Sequence, residues 1–236
     1  MAMRAVYTGR ANQGTLTAAA ANERLYIIYG SGQDLVVHAE NGRFVRQVTD
    51  ERITDPITRI AASRSGRLAV VSRNRVLVFD ADPNPSDSDK ANWVYNAFAD
   101  LDIAAGDASP IVCCWLNDDR LVLASRCTLF MLARTNNGWG CLKSWTTGCS
   151  VDVIAAAPDG AVFATATAGC QMVKVWQWAE DCDYMRFHYV VHSGSIRDIF
   201  WHQGTNTRKS GMQELVLYTV SQEGRLPDKP GFDDYR

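Results

Sequence analysis

The sequence lacks the local motifs that mark most catalytic and nucleotide-binding sites. It has no HExxH, GxSxG or GxxxxGK[ST] pattern, so the signatures of zinc proteases, α/β-hydrolases and P-loop proteins are missing. The four histidines, His38, His188, His192 and His202, are scattered along the chain. The Gly-containing pieces YGSGQD and TAGCQ join two apolar runs and do not open a helix. We therefore expect no catalytic residue, no cofactor site and no enzyme activity.

The cysteines do not form a zinc or disulfide pattern. There are seven of them, an odd number, and no two are spaced as CxxC. Cys113 and Cys114 are neighbours on a predicted strand, so their side chains point to opposite faces and do not share one metal ion. We expect reduced structural thiols and no metal site. The full set is Cys113, Cys114, Cys127, Cys141, Cys149, Cys170 and Cys182.

An excess of charge and a long apolar run are both missing as well. Lys and Arg total 24 against 26 Asp and Glu, and no segment gathers enough cations to bind a row of phosphates, which argues against a nucleic-acid partner. The longest uncharged apolar stretches, such as IVCCWL, are too short to span a bilayer, and the N-terminus does not read as a signal peptide. A 236-residue chain that is 47% hydrophobic can nevertheless bury a sizeable core. These features predict a soluble intracellular protein.

What the sequence does contain is a repeat. The segments NERLYIIYGSGQDLVVHA, SGRLAVVSRNRVLVFD, NDDRLVLASRCTLFMLAR and PDGAVFATATAGCQMVKVWQW each show a polar turn, an apolar run, a second turn and another apolar run. Their aligned residues Leu25, Leu68, Leu121 and Val162 are 43, 53 and 41 positions apart. A period near 40–45 residues is typical of a four-stranded propeller blade.

Further strands flank these predicted hairpins. Apolar runs such as PITRIAAS and PIVCCWL precede them, and more polar runs such as FVRQVTD and CLKSWTTG follow. The long interval contains ADPNPSDSDKANW, which predicts a surface insertion over residues 81–91. A fifth unit starts at Ser195 and stops after Leu226, where Pro227 and Pro230 remove strand amide donors. We predict an all-β fold of about four and a half blades over residues 1–226, incomplete or open, and a flexible polar tail over residues 227–236.

The repeat resembles the WD repeat, in PDGAVFATATAGCQMVKVWQW and in the following HSGSIRDIFW. The resemblance implies a buried structural hydrogen-bonded signature, in which His192 and Trp176 occupy the loop His and strand Trp positions. Cys170 stands where that family usually has Asp, while Phe79 and Leu132 replace Trp in other blades, so the signature is partial. The predicted blade signature residues are Trp176, His192, Thr165 and Trp201.

The order of the pieces VYTGRANQG, LYIIYGSGQDLVV, PDGAVFATATAGCQMVKVW, YVVHSGSIRDIFWHQ and ELVLYTVSQEGRL is similar to the DmX-like (rabconnectin) family, which includes the scaffold subunit of the RAVE complex. The specific part is residues 158–226. This resemblance implies a cytoplasmic scaffold for assembly of the vacuolar proton-pumping ATPase. It also implies protein partners, among them peripheral-sector and RAVE-like subunits, and association with endosomal or vacuolar membranes only through those partners.

Two other functions remain open on the sequence. One is a WD-repeat adaptor in another trafficking or signalling complex. The other is a propeller hydrolase, which would need inward Asp, Glu, Asn or His residues at equivalent blade positions that the repeats do not supply. For the partner contact we single out Trp139, in the predicted turn TNNGWGC, as an exposed docking residue. The alternative for Trp139 is an aromatic residue that caps a blade edge.

Overall fold

Regular structure in this chain consists of β-strands. The computed structural model describes residues 11–82, 92–101, 111–136, 138–177, 185–205 and 213–221, and within these ranges it contains strands and no helix. The strands belong to two compact units. The first comprises residues 1–125 and 129–145, and the second comprises residues 126–128 and 146–236. No helix in the described part of the chain is long and apolar enough to cross a membrane.

The first unit contains three antiparallel sheets of four strands, each ordered as in the sequence. The first sheet has β1 (Thr17–Ala21), β2 (Arg24–Ser31), β3 (Asp34–Ala39) and β4 (Phe44–Val48). The second has β5 (Ile57–Ala62), β6 (Leu68–Ser72), β7 (Arg75–Ala81) and β8 (Trp93–Asp100). The third has β9 (Ile111–Asn117), β10 (Arg120–Ser125), β11 (Thr128–Thr135) and β12 (Gly138–Thr146).

The second unit contains one four-stranded sheet and one two-stranded sheet. The four-stranded sheet has β13 (Val153–Ala156), β14 (Val162–Ala166), β15 (Met172–Gln177) and β16 (Arg186–Val191). The two-stranded sheet has β17 (Ile196–Thr205) and β18 (Gln213–Ser221). Four complete meanders and a two-stranded fifth confirm the predicted four and a half repeats within the described residues.

Burial is greatest in the middle strands of the meanders and least in the last strand. Every residue of β6 is buried, and β10 is buried after its first residue, whereas β16 is exposed at all but one position. Inner strands of such meanders pack on both faces, which is why runs such as LAVVS and RLVLAS are continuously apolar. The aligned residues Leu25, Leu68, Leu121 and Val162 all lie at or next to the start of the second strand of a sheet.

The cores of the first unit lie between consecutive sheets. Residues of the first and second sheets form one buried cluster, which contains Ile28, Leu35, Ile57 and Phe79. Residues of the second and third sheets form another. Strand β5 packs against β1, β2 and β9, so the sheets follow one another face to face. This packing of whole sheets buries both faces of the middle sheet.

Gly66 lies at a close approach between two sheets in the first unit. Its φ is +85°, and a Cβ there would come within 1.9 Å of the carbonyl oxygen of Ala20. Its own carbonyl oxygen accepts a 2.7 Å hydrogen bond from the indole nitrogen of buried Trp93. Only glycine satisfies both the left-handed φ and this contact.

Several boundaries differ from the predictions. Ala81 still belongs to β7 and pairs with Trp93, so the insertion predicted over residues 81–91 starts after Ala81. Residues 83–91 lie outside the described residues. The tail 227–236 also lies outside them. Strands β1, β8 and β16 were not predicted, and β1 is an alanine run.

Candidate protein-docking surface

The predicted blade signature lies in the second unit, and part of it forms a hydrogen-bonded pair. The indole nitrogen of Trp176 donates to the hydroxyl of Thr165 at 2.8 Å, and both residues are buried. The Trp176 ring stacks on Phe163, with centroids 6.1 Å apart, and contacts Phe187 at 5.1 Å. Strands β14 and β15 place these rings directly opposite each other, because Phe163 pairs with Trp176 in the ladder.

His192 lies just after β16 and is buried. Its Nδ1 accepts the N–H of Gly194 at 2.9 Å, and its own backbone N–H donates to the carbonyl oxygen of Gln171 at 2.7 Å. Its Nε2 has no hydrogen-bond partner among the residues that the structure describes. Cys170, at the position that the WD pattern gives to Asp, is exposed. The His192 side chain therefore bonds to its own loop, and the pair that links strands is Trp176 with Thr165.

Trp201, the fourth signature residue, is only half-buried. Its indole nitrogen donates to the carbonyl oxygen of Ala155 at 3.1 Å, and its ring packs beside the cluster that contains Ile196 and Ile199. Trp201 thus ties β17 to β13 within the second unit. Trp201 is therefore less buried than Trp176, His192 and Thr165, although the resemblance implied a buried signature.

Trp139 is not the exposed docking residue that the sequence suggested. It is 8% exposed and lies in β12, where its ring meets Trp115 edge to face at a centroid distance of 5.4 Å. Gly138, at φ +110°, accepts a 2.8 Å hydrogen bond from the hydroxyl of Thr135, so the chain reverses before Trp139. Trp139 is therefore the first inward-facing residue of an outer strand. The prediction that it is an exposed partner contact is wrong.

Cys113, Cys114 and His38 lie in ordinary structural surroundings. Burial raises the pKa of Cys113 to about 12 and raises the pKa of Cys114 well above its usual range. Such thiols stay protonated and unreactive. His38 contacts Tyr29 and the carbonyl oxygen of Gly42. In the described ranges, no group of three or more His, Cys, Asp or Glu residues could hold a metal ion.

Arg67 links two sheets of the first unit through electrostatic contacts. Its guanidinium pairs with Asp80 at 2.5 Å and also bonds to the carbonyl oxygen of Asp118. Burial opposes ionisation of Asp118, but hydrogen bonds from Ser63 and Ser65 and the charge of Arg67 together lower its pKa. These side chains bond to one another, so we assign them to the packing of the second sheet against the third.

An exposed apolar row on β15 and β16 is the feature that packing does not explain. Phe187, Tyr189 and Val191 are 43%, 50% and 79% exposed, and they share one face because they alternate along β16. Met172, also exposed, pairs directly with Val191. Phe187 and Tyr189 meet edge to face at 5.4 Å. We call these four residues the β16 row.

Lys174 adds a positive charge to the β16 row. It pairs with Tyr189 across the ladder, and its ammonium lies 5.5 Å from the Tyr189 ring centroid and 5.6 Å from that of Phe187. The same ammonium donates to the carbonyl oxygen of Thr147. The cation is held over the aromatic rings, where cation–π attraction favours it. No sequence pattern identified this surface, because β16 itself was not predicted.

Comparisons with known proteins show the fold and no family. No protein-family model and no curated protein matches the chain. Among solved structures it is similar to a functionally unknown protein from Desulfotomaculum acetoxidans, at 13% identity and TM-score 0.56. It is also similar to a protein from Lactobacillus plantarum, at 15% and 0.55, and to a WD40-type propeller chain of a mitotic checkpoint complex, at 14% and 0.56.

The three alignments cover 93%, 86% and 90% of this chain. This chain is built of β-propeller blades. It spans 72%, 66% and 62% of the lengths of the three matched chains. At such low identity the likeness concerns the arrangement of strands, and the propeller fold by itself assigns no partner.

Proposed function

We propose that this propeller-type chain is a protein-interaction scaffold and not an enzyme, and that it acts in the cytoplasm. The observation that supports this most is the β16 row, in which three large apolar side chains and Met172 are exposed side by side. Single exposed apolar residues are normal on protein surfaces, but a contiguous row on an outer strand is typical of interaction sites.

The finer proposal is a RAVE-like scaffold that regulates assembly of the vacuolar proton-ATPase. It is supported by the resemblance to DmX-like proteins across residues 158–226, a segment that includes β14 to β18 and the β16 row. In this proposal the partners are peripheral ATPase subunits and other RAVE-like subunits, and contact with endosomal or vacuolar membranes is made only through them.

A second candidate is an adaptor in a different intracellular complex. The similarity to a chain of the mitotic checkpoint complex favours keeping it, because that chain has the same type of fold inside another assembly. Both candidates use the propeller as a docking platform, and they differ in which proteins bind.

A pull-down from native lysate with the tagged chain as bait distinguishes them. We expect peripheral vacuolar-ATPase subunits to be enriched, and we expect the double variant Phe187→Ser/Tyr189→Ser to reduce that enrichment at least about tenfold, because exposed aromatics are frequent binding hot spots. Leu142→Ser is the matched control, since Leu142 is 50% exposed on the outer strand β12. Failure to enrich any ATPase subunit would refute the finer proposal, and equal loss in the control would refute the role of the β16 row.

A further inference from the structure

Two cysteines of the second unit have backbones that meet at one buried side chain. Cys127 lies in the turn between β10 and β11, and Cys149 lies in the loop between β12 and β13. The hydroxyl oxygen of Thr147, a residue that is 5% exposed, lies 2.9 Å from the carbonyl oxygen of Cys127 and 2.5 Å from that of Cys149. The fold therefore makes neighbours of two cysteines that belong to different connections between strands.

Backbone hydrogen bonds hold the loop against the turn on both sides of Cys149. The N–H of Thr147 donates to the carbonyl oxygen of Cys127 at 2.6 Å, and the N–H of Val151 donates to that of Arg126 at 2.9 Å. Between these two anchors Gly148 has a φ of +78°, and a Cβ there would meet no described atom beyond its chain neighbours within 4 Å. The loop can therefore adjust around Gly148 while its two ends stay bonded to the turn.

Both thiols are accessible to a small oxidant. Cys149 is exposed and Cys127 is half-buried, whereas Cys113 is buried. The Sγ of Cys149 lies 4.0 Å from the carbonyl oxygen of Thr147, so this thiol stays beside the residue that bonds the Cys127 backbone. A disulfide needs Cα atoms about 4.4–6.8 Å apart, a separation that fits two residues whose carbonyl groups contact the same hydroxyl.

We propose that Cys127 and Cys149 form an oxidation site, at which a peroxide converts the two thiols into a disulfide. The thiolate of the more exposed Cys149 attacks the peroxide, so that an S–O bond forms, the O–O bond breaks and hydroxide leaves as water after taking up a proton. The thiolate of Cys127 then attacks that sulfur, the S–S bond forms, and the S–O bond breaks to release a second water. Two thiols and one hydrogen peroxide thus give one disulfide and two waters, with sulfur oxidised and the peroxide oxygens reduced.

The disulfide would fix the exposed part of the loop to the turn between β10 and β11. The two hydrogen bonds from Thr147 and Val151 already bring these segments together, and the covalent bond would prevent the part between them from opening. In a reducing compartment, disulfides of this kind are transient and sense oxidants. The inference goes beyond the proposed scaffold function and does not depend on it.

The test treats the reduced full chain with an equimolar amount of hydrogen peroxide. After alkylation of the remaining thiols and digestion with trypsin, mass spectrometry measures each disulfide-linked pair of peptides. Cys149 and Cys170 share a tryptic peptide, so fragmentation assigns which of them is linked. We expect the pair of Cys127 with Cys149 to exceed every other pair at least about tenfold, because the fold holds these two thiols together.

The same oxidation in urea is the matched control. Short loops close more readily in an unfolded chain, and Cys141 is nearer to Cys149 along the sequence than Cys127 is. We therefore expect the pair of Cys141 with Cys149 to exceed that of Cys127 with Cys149 in urea. Absence of the Cys127–Cys149 disulfide from the folded chain would overturn the proposal, and so would the same preference for it in urea.

Substitutions separate the roles of the two thiols. Cys127→Ser removes the thiol that resolves the sulfenic acid, so we expect dimedone to label Cys149 at least about fivefold more than in the wild type. Cys141→Ser is the control, because Cys141 is exposed on β12, and it should leave both the disulfide and the labelling unchanged. Thermal melts verify that both variants fold. No increase in labelling of Cys149 in the folded Cys127→Ser variant would refute the assignment of Cys149 as the attacking thiol.

Hydrogen exchange measures what the disulfide does to the loop. The amides of Thr147 and Val151 exchange when the loop opens away from the turn, and we expect oxidation to slow both at least about threefold. Unchanged exchange of both amides in the oxidised chain would refute the claim that the disulfide fixes the loop.

Discussion

The buried hydrogen bond between Trp176 and Thr165 allows a quantitative test of how the second unit is held together. The two atoms are 2.8 Å apart, and the Trp176 side chain is 3% exposed between Phe163 and Phe187. Trp176→Ala removes a whole buried indole and leaves a cavity, so we expect it to lower the free energy of unfolding by about 3–5 kcal/mol.

A double-mutant cycle separates the hydrogen bond from the packing. Thr165→Val leaves the indole N–H buried without a partner and should lower the free energy of unfolding by about 1–3 kcal/mol. Trp176→Phe likewise leaves the Thr165 hydroxyl without the indole as its partner. The double variant removes both polar groups, so we expect its cost to be smaller than the sum of the single costs by about 1 kcal/mol.

The assay is urea unfolding at 25 °C followed by far-ultraviolet circular dichroism, which reports the strands and not the indole itself. Trp201→Phe is the control. Because Trp201 is half-buried and bonds to a backbone carbonyl, we expect this variant to lower the free energy of unfolding less than Trp176→Ala does. A coupling energy indistinguishable from zero, or a Trp176→Ala variant with unchanged unfolding, would refute the argument that this pair stabilises the sheet.

Three other outcomes follow from the first unit. Gly66→Ala forces a Cβ to within 1.9 Å of the Ala20 carbonyl at φ +85°, so we expect a loss above about 1 kcal/mol in urea unfolding; an unchanged midpoint would contradict this. Trp139→Ala should lower the free energy of unfolding by about 3–5 kcal/mol and leave the enrichment of partners in the pull-down unchanged; weaker enrichment by the folded variant would reinstate Trp139 as a docking residue. The pKa of Asp118 is lowered from 3.8, so its stabilising contribution is present above that value and is lost as pH falls through the folded-state pKa. Ser65→Ala should raise that pKa in an NMR titration, and no change would mean that the 2.7 Å bond from Ser65 does not hold the carboxylate.

The predictable part of the fold consists of the inner strands, whose continuously apolar runs recur once per blade. Inner strands are apolar on both faces, so LAVVS and RLVLAS stand out from the turns around them. The spacing of Leu68, Leu121 and Val162 then predicts four-stranded repeats. Outer strands have one exposed face and less contrast; FVRQVTD and CLKSWTTG were still recognised as outer strands, whereas β8 and β16 were not.

The sequence alone therefore determined that the chain is made of β-strands, that these strands repeat as blades, and that Trp176 belongs to the signature of its blade. These features depend on local pattern and on contacts within one meander. Tertiary structure decided which aromatics are buried. Trp139 follows a turn-like TNNG and is nevertheless covered by Trp115, whereas Phe187 and Tyr189 lie within a strand and remain exposed. Burial of an outer-strand side chain depends on what packs against that face, and residues far apart in sequence supply that neighbour.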